Sequence, residues 1–178
     1  MLKKHSRGFT LIELMVATGL FASIMTIAAG AYLIMISANR EAQSISKGIN
    51  SVSYALELMT RNIRTGTQYP TGLSSCKDLA GADSISFTDV NGRSVTYKRR
   101  LVGSQYQIVQ TIGGVDTPLT DQSTDINYMR FYCTGTVPGD AQQASVIMVV
   151  SGKVLTAKTS KNTEFRVQTT ATMRALDL

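Results

Sequence analysis

The sequence predicts an α+β fold: a long N-terminal helix, membrane span in its first half and amphipathic in its second, packed on an antiparallel β-sheet. Three observations predict it. From Phe9 to Ala38 the only formally charged residue is Glu13. Beyond Asn39 the chain turns polar, yet large apolar residues keep returning at spacings of three and four. From Ser84 onward, short alternating segments succeed one another with turn signals between them.

The apolar run comes first. About 30 residues exceed the roughly 20 that a helix needs to cross a bilayer. Lys3, Lys4 and Arg7 precede the run and no basic residue lies within it. That asymmetry places the N-terminus on the cytoplasmic side and the remainder outside. A secretory signal peptide fits poorly, because its apolar core is about 7–15 residues and ends at a small-residue cut site. Here the run continues past Ala28-Ala29-Gly30-Ala31 through Tyr32, Leu33, Ile34, Met35 and Ile36. Gly30 weakens a helix by up to about 1 kcal/mol relative to alanine. Two readings of it stay open, a local melting point and a small residue that lets helices pack closely.

The helix is expected to continue. Ile45, Ile49, Val52, Leu56, Met59 and Ile63 form one apolar stripe, the pattern of a helix lying on a core. Gly66 offers a cap and Pro70 a stop. Residues 67–83, with Pro70, Gly72, Ser74 and Ser75, read as a loop.

A strand meander follows. Ser84–Thr88 and Ser94–Lys98 alternate around Asn91-Gly92, the strongest short hairpin signal. Tyr106–Gln110 is a third strand after Gly103-Ser104. Beyond Gly113-Gly114 the chain reads as a polar loop to Asp125. Ile126–Cys133 alternates, with Ile126, Tyr128, Arg130 and Tyr132 on one side and Asn127, Met129, Phe131 and Cys133 on the other. Val146–Val150 is a continuous apolar run suited to a central strand, and Phe165–Arg174 alternates again. Short strands separated by turns make an antiparallel sheet, and a helix laid on it completes a two-layer α+β arrangement.

Composition excludes more than it assigns. The chain has 178 residues and a net charge of +6, room for one modest domain after the anchor. Without Lys3, Lys4 and Arg7, 15 of the 18 Lys and Arg remain against 12 Asp and Glu, a net of +3. That bias is too weak to imply nucleic-acid binding. The densest basic cluster is Arg93, Lys98, Arg99 and Arg100; a solvated strand edge and a DNA contact are its two readings. The single histidine is His5, so acid–base and metal chemistry lose their commonest side chain. No Gly-x-Ser-x-Gly elbow, phosphate-binding glycine loop or Cys-x-x-Cys occurs. Asp116, Asp121 and Asp125 share a loop, but their spacing matches no EF-hand. No catalytic residue, cofactor or metal site is expected. The two cysteines, Cys76 and Cys133, suggest a disulfide in an exported domain; two free buried thiols are the alternative. Closing a loop of roughly 60 residues would contribute on the order of 4 kcal/mol in the chain-entropy description.

Glu13 is the anomaly. A carboxylate at mid-bilayer costs about 2.5–3.5 kcal/mol on insertion scales, less near an end. An acid here asks for a partner. The alternative is a tolerated interfacial glutamate in an ordinary signal anchor.

Gly8-Phe9-Thr10-Leu11-Ile12-Glu13-Leu14, behind its basic leader, resembles the processing motif of type IV prepilins and of the pseudopilins of type II secretion. The resemblance implies cleavage after Gly8 by a prepilin peptidase, N-methylation of Phe9, and a role for Glu13 in bringing the subunit into a filament. A freshly cut Phe9 amine, on the same chain or a neighbour, would then supply the partner Glu13 lacks. In that reading residues 1–8 are a cleaved leader, 9–38 the transmembrane and filament-core helix, 39–66 the amphipathic helix, and 67–178 the loop and sheet domain. The order of long helix, Gly/Ser loop, meander and Thr-rich last strand resembles minor pilins and the J-type pseudopilin. The major subunit is a poorer match, because Cys133 lies about 45 residues from the C-terminus. The implied partners are other pilin or pseudopilin subunits, the prepilin peptidase, the inner-membrane assembly machinery and, before assembly, the lipid bilayer. The implied location is a single pass of the inner membrane with the C-terminal domain extracytoplasmic, and then the pilus or pseudopilus. Two rivals are an anchored extracytoplasmic binding domain that never polymerises and a DNA-uptake pilin using the Arg93–Arg100 cluster.

Overall fold

The computed structural model describes residues 8–67, 69, 80–135, 143–156 and 162–174. It shows one long helix, α1 (Leu11–Thr65), and seven strands: β1 (Ser84–Thr88), β2 (Ser94–Val102), β3 (Gln105–Ile112), β4 (Val115–Pro118), β5 (Thr124–Thr134), β6 (Ser145–Val154) and β7 (Thr163–Thr172). The chain divides into two compact units, Met1–Ala42 and Gln43–Leu178. The fold is α+β, with an apolar N-terminal helix and antiparallel sheets, consistent with a pilin-like arrangement.

In the first unit α1 carries no charged residue from Leu14 to Ala38. Phe9, Leu11 and Ile27 are 83%, 77% and 73% exposed. The helix is long and apolar enough to cross a membrane, and nothing in its most apolar window is buried within the chain. Its hydroxyls are satisfied locally. Thr18 donates to the Leu14 carbonyl, Ser23 to Gly19, Thr26 to Ala22 and Ser37 to Ile34. Such back-bonding removes the free polar groups that hydrocarbon would penalise.

The second unit has a conventional core. Val52, Leu56, Met59 and Ile63 of α1 join one buried cluster with Ile85, Phe87, Val95, Tyr97, Ile108, Phe131, Val146 and Met148. The helix buries a face slightly rotated from the expected stripe. Ile49 is 46% exposed and Ile45 only half-buried, while Gly48 and Ala55 are buried. The reason is close approach at the small residues. A Cβ on Gly48 would sit 2.7 Å from a Val154 methyl, so the contact line runs through Gly48 and Ala55 and leaves Ile49 on the flank.

The strands form two sheets, ordered β1-β2-β3-β4 and β5-β6-β7. All pairings are antiparallel. Gly113-Gly114 makes a two-residue hairpin between Ile112 and Val115, with φ of 58° and 82°. Positive φ at both positions is the signature of the type I′ turn. That turn delivers β4 where the sequence reads as a polar loop. Four residues ending in proline carry little strand signal of their own. Asn91-Gly92 lies in a longer loop. Asp89 and Arg93 close it through a 2.9 Å backbone bond, with Gly92 at φ 74°.

β5 departs from simple alternation. Its register shifts between Ile126 and Tyr128, the mark of a bulge. The bulge carries Ile126 to the buried side with Met129, Phe131 and Cys133, not to the side of Tyr128 as expected. Gly152 of β6 faces this bulge, and a Cβ there would lie 2.4 Å from the Asp125 carbonyl. Phe165, its partner on β7, covers the gap. β6 is the central strand of its sheet, as its apolar run predicts. Thr67 bridges Thr88 and Ala82 bridges Phe131, pinning both ends of the segment read as a loop. Residues 70–79 of that segment lie outside the described residues.

Candidate functional site

The segment around Gly8 and Glu13 is built by helix capping. Thr10 directly precedes α1, and its Oγ1 accepts from the Glu13 N–H at 3.3 Å. Glu13 Oε2 reaches back to the Thr10 N–H at 3.4 Å. A threonine at the cap and a glutamate three residues on, bonded reciprocally, form a capping box. It satisfies two of the orphan donors of the helix start, and the carboxylate sits at the positive end of the helix dipole. Gly8 and Phe9 precede the helix and are exposed. The bond between them is therefore accessible, and cutting it would leave the Thr10 cap in place. Thr10 is the residue that sequence reasoning passed over, although the Thr-x-x-Glu spacing spells the motif.

Below Glu13 the helix presents Ile12, Val16, Ala17 and Leu20 around the carboxylate. Farther along, Gly19, Ser23, Thr26, Gly30 and Ser37 share one face at spacings of three, four and seven. A Cβ on Gly19 or Gly30 would meet nothing within 4 Å. That notch is open to a neighbour.

The remaining candidate residues are separated. Lys98 and Arg100 both pair with Asp116 of β4. Arg93 pairs with Asp89 at 2.8 Å. The Arg93 backbone N–H, more than the guanidinium, holds the Asp89 carboxyl below its ordinary value. Arg99 donates to the carbonyls of Ile126 and Asn127 and stacks over Tyr106. The basic cluster thus spends its charge within the fold. The three aspartates likewise part company: Asp121 takes Lys47 and Asp125 takes Lys153. Among the described residues no group of three His, Cys, Asp or Glu is placed to hold a metal. Cys133 is 5% exposed on β5, and no cysteine among the described residues is free. Cys76 lies outside the described residues.

The family pattern for the prokaryotic N-terminal methylation motif matches residues 3–29. That match supports a type IV pilin or pseudopilin family and a precursor carrying a prepilin-type signal. Together with the apolar helix it supports anchoring in a membrane. No curated protein and no solved structure matches the chain.

Proposed function

We propose that the chain is a structural subunit of a type IV pilus or type II secretion filament, a minor pilin or pseudopilin rather than the major subunit. The methylation motif at residues 3–29 carries this reading. The precursor enters the inner membrane with its N-terminus cytoplasmic and Gln43–Leu178 outside. A prepilin peptidase removes Met1–Gly8, and Phe9 is methylated. The exposed apolar face of α1 then exchanges lipid for neighbouring helices. Without a hydrophobic gradient between lipid and helix, close packing at small residues drives such association, and the open notch at Gly19 and Gly30 supplies it. Glu13, held in its capping box within the same chain, meets the amine of an adjacent Phe9 as helices come together. The role is assembly, with no chemistry of its own.

The experiment is intact-mass analysis of protein from cells with an active prepilin peptidase. The expected mass lacks Met1–Gly8 and gains one methyl group. An N-terminus still at Met1 would refute the reading. A processed chain that never leaves the membrane for a filament fraction would favour an anchored binding domain instead.

A Cys76–Cys133 disulfide belongs to the same proposal. An exported location favours oxidation, and the near-complete burial of Cys133 protects the bond. Non-reducing peptide mapping should recover the two cysteine peptides linked. Two thiols that alkylate freely in protein from an oxidising compartment would rule the bond out.

A further inference from the structure

The last turns of α1 and strand β7 border an open groove of about 750 Å³, lined among others by Leu56, Arg61, Arg64, Val167, Gln168 and Arg174. Thr169 lines it as well. Successive side chains of a strand point to opposite faces, so a groove touching three in a row runs along the strand's edge. β7 is an edge strand, paired with β6 on one side only. Its far side carries no backbone bond from Thr163 to Thr172 among the described residues. Leu56 and Val167 give the groove an apolar floor, Val167 being 37% exposed.

The charge in the groove's lining is mostly basic. Arg61 and Arg64 are neighbours on one helix face. Arg174 follows β7, and its N–H donates to the Arg64 carbonyl at 3.1 Å. Lys47, Arg93, Lys98, Arg100, Arg130 and Lys153 all have carboxylate partners. Arg61, Arg64 and Arg174 have none among the described residues. Glu57 is the one acid in the groove's lining.

We propose that this groove docks an extended acidic segment of another protein chain, which adds to the β7 edge and sets its carboxylates on Arg61, Arg64 and Arg174. An unpaired strand edge is a template for a further strand, and guanidinium forks match carboxylates two bonds at a time. The two observations select the occupant together. A nucleic acid would satisfy the arginines but offers no peptide backbone to the edge. A helix would fill the floor but leave the edge unpaired. The proposal concerns the second unit alone and does not depend on filament assembly.

The test uses the full chain in detergent micelles and a labelled, end-blocked hexapeptide alternating valine and aspartate. Binding is expected by fluorescence anisotropy, with slowed amide exchange along β7. Arg61→Gln or Arg64→Gln should weaken it roughly tenfold, the loss of one charged hydrogen bond. Both are exposed helix positions, so the thermal midpoint should hold. Replacing the peptide's aspartates by asparagine should weaken binding similarly, and methylating its backbone amides should abolish it. No binding at millimolar peptide would overturn the proposal. So would full binding by the N-methylated peptide, indifference to both arginine substitutions, or tighter binding of an oligothymidylate of equal length.

Discussion

Leu56→Asp should unfold the second unit or leave it barely folded, whereas Glu57→Ala, one residue along the same helix, should change little. Leu56 is 7% exposed and sits in the core cluster between α1 and the sheets. Aspartate there loses the transfer energy of a leucine, about 1.5–3 kcal/mol, and sets a largely buried carboxylate in the core cluster. Such a group costs several kcal/mol more or takes up a proton. The total reaches about 4–5 kcal/mol or above, against a typical net stability of about 5–15 kcal/mol for a domain. Glu57 is exposed, has no ion-pair partner among the described residues, and its truncation should stay within roughly 0.5 kcal/mol. Urea unfolding of both variants in the same detergent, followed by near-UV circular dichroism, makes the comparison. Equal shifts in midpoint would mean that this face of α1 is solvated.

The helix and its buried face were legible because one helix period governs the whole of Ile45–Ile63, and Met59 and Ile63 land in the core as the spacing requires. Ile49 was misplaced because periodicity weighs side-chain size and cannot see that Gly48 admits the Val154 methyls. Strand positions were legible wherever alternation was clean, as at Ile85 and Phe87. β4 was missed because the Gly113-Gly114 turn creates it, not its four residues. The phase of Ile126 was lost to a bulge that Gly152, some 25 residues later, permits from the neighbouring strand. The division of strands into two sheets is a tertiary outcome that no local pattern encodes. At the candidate site the N-terminal methylation motif of residues 3–29 was legible in the residues themselves. The Thr10–Glu13 capping box was equally visible in the Thr-x-x-Glu spacing, although a glutamate inside an apolar run also reads as an acid that needs a distant partner.

Glu13 closes the capping box, and the proposed assembly would give it a second role. Glu13→Ala should leave insertion and removal of Met1–Gly8 intact, since the helix becomes more apolar and the Gly8–Phe9 bond stays exposed. It should nevertheless keep the subunit out of filaments. Removing one member of a buried ion pair costs about 3–5 kcal/mol, on the order of a hundredfold or more in the incorporation equilibrium. Alanine, however, also removes the capping box, so alanine alone does not say which loss matters. Glutamine resolves this, because it serves at the third helical position of a capping box but carries no charge. If pairing with a Phe9 amine drives assembly, Glu13→Gln should fail as Glu13→Ala does. If the cap is what counts, Glu13→Gln should assemble and Thr10→Ala should fail beside Glu13→Ala. The filament fraction of each variant, normalised to processed protein in the membrane, decides between them. Normal incorporation of Glu13→Gln would refute the charge-pairing role and leave Glu13 as a helix cap.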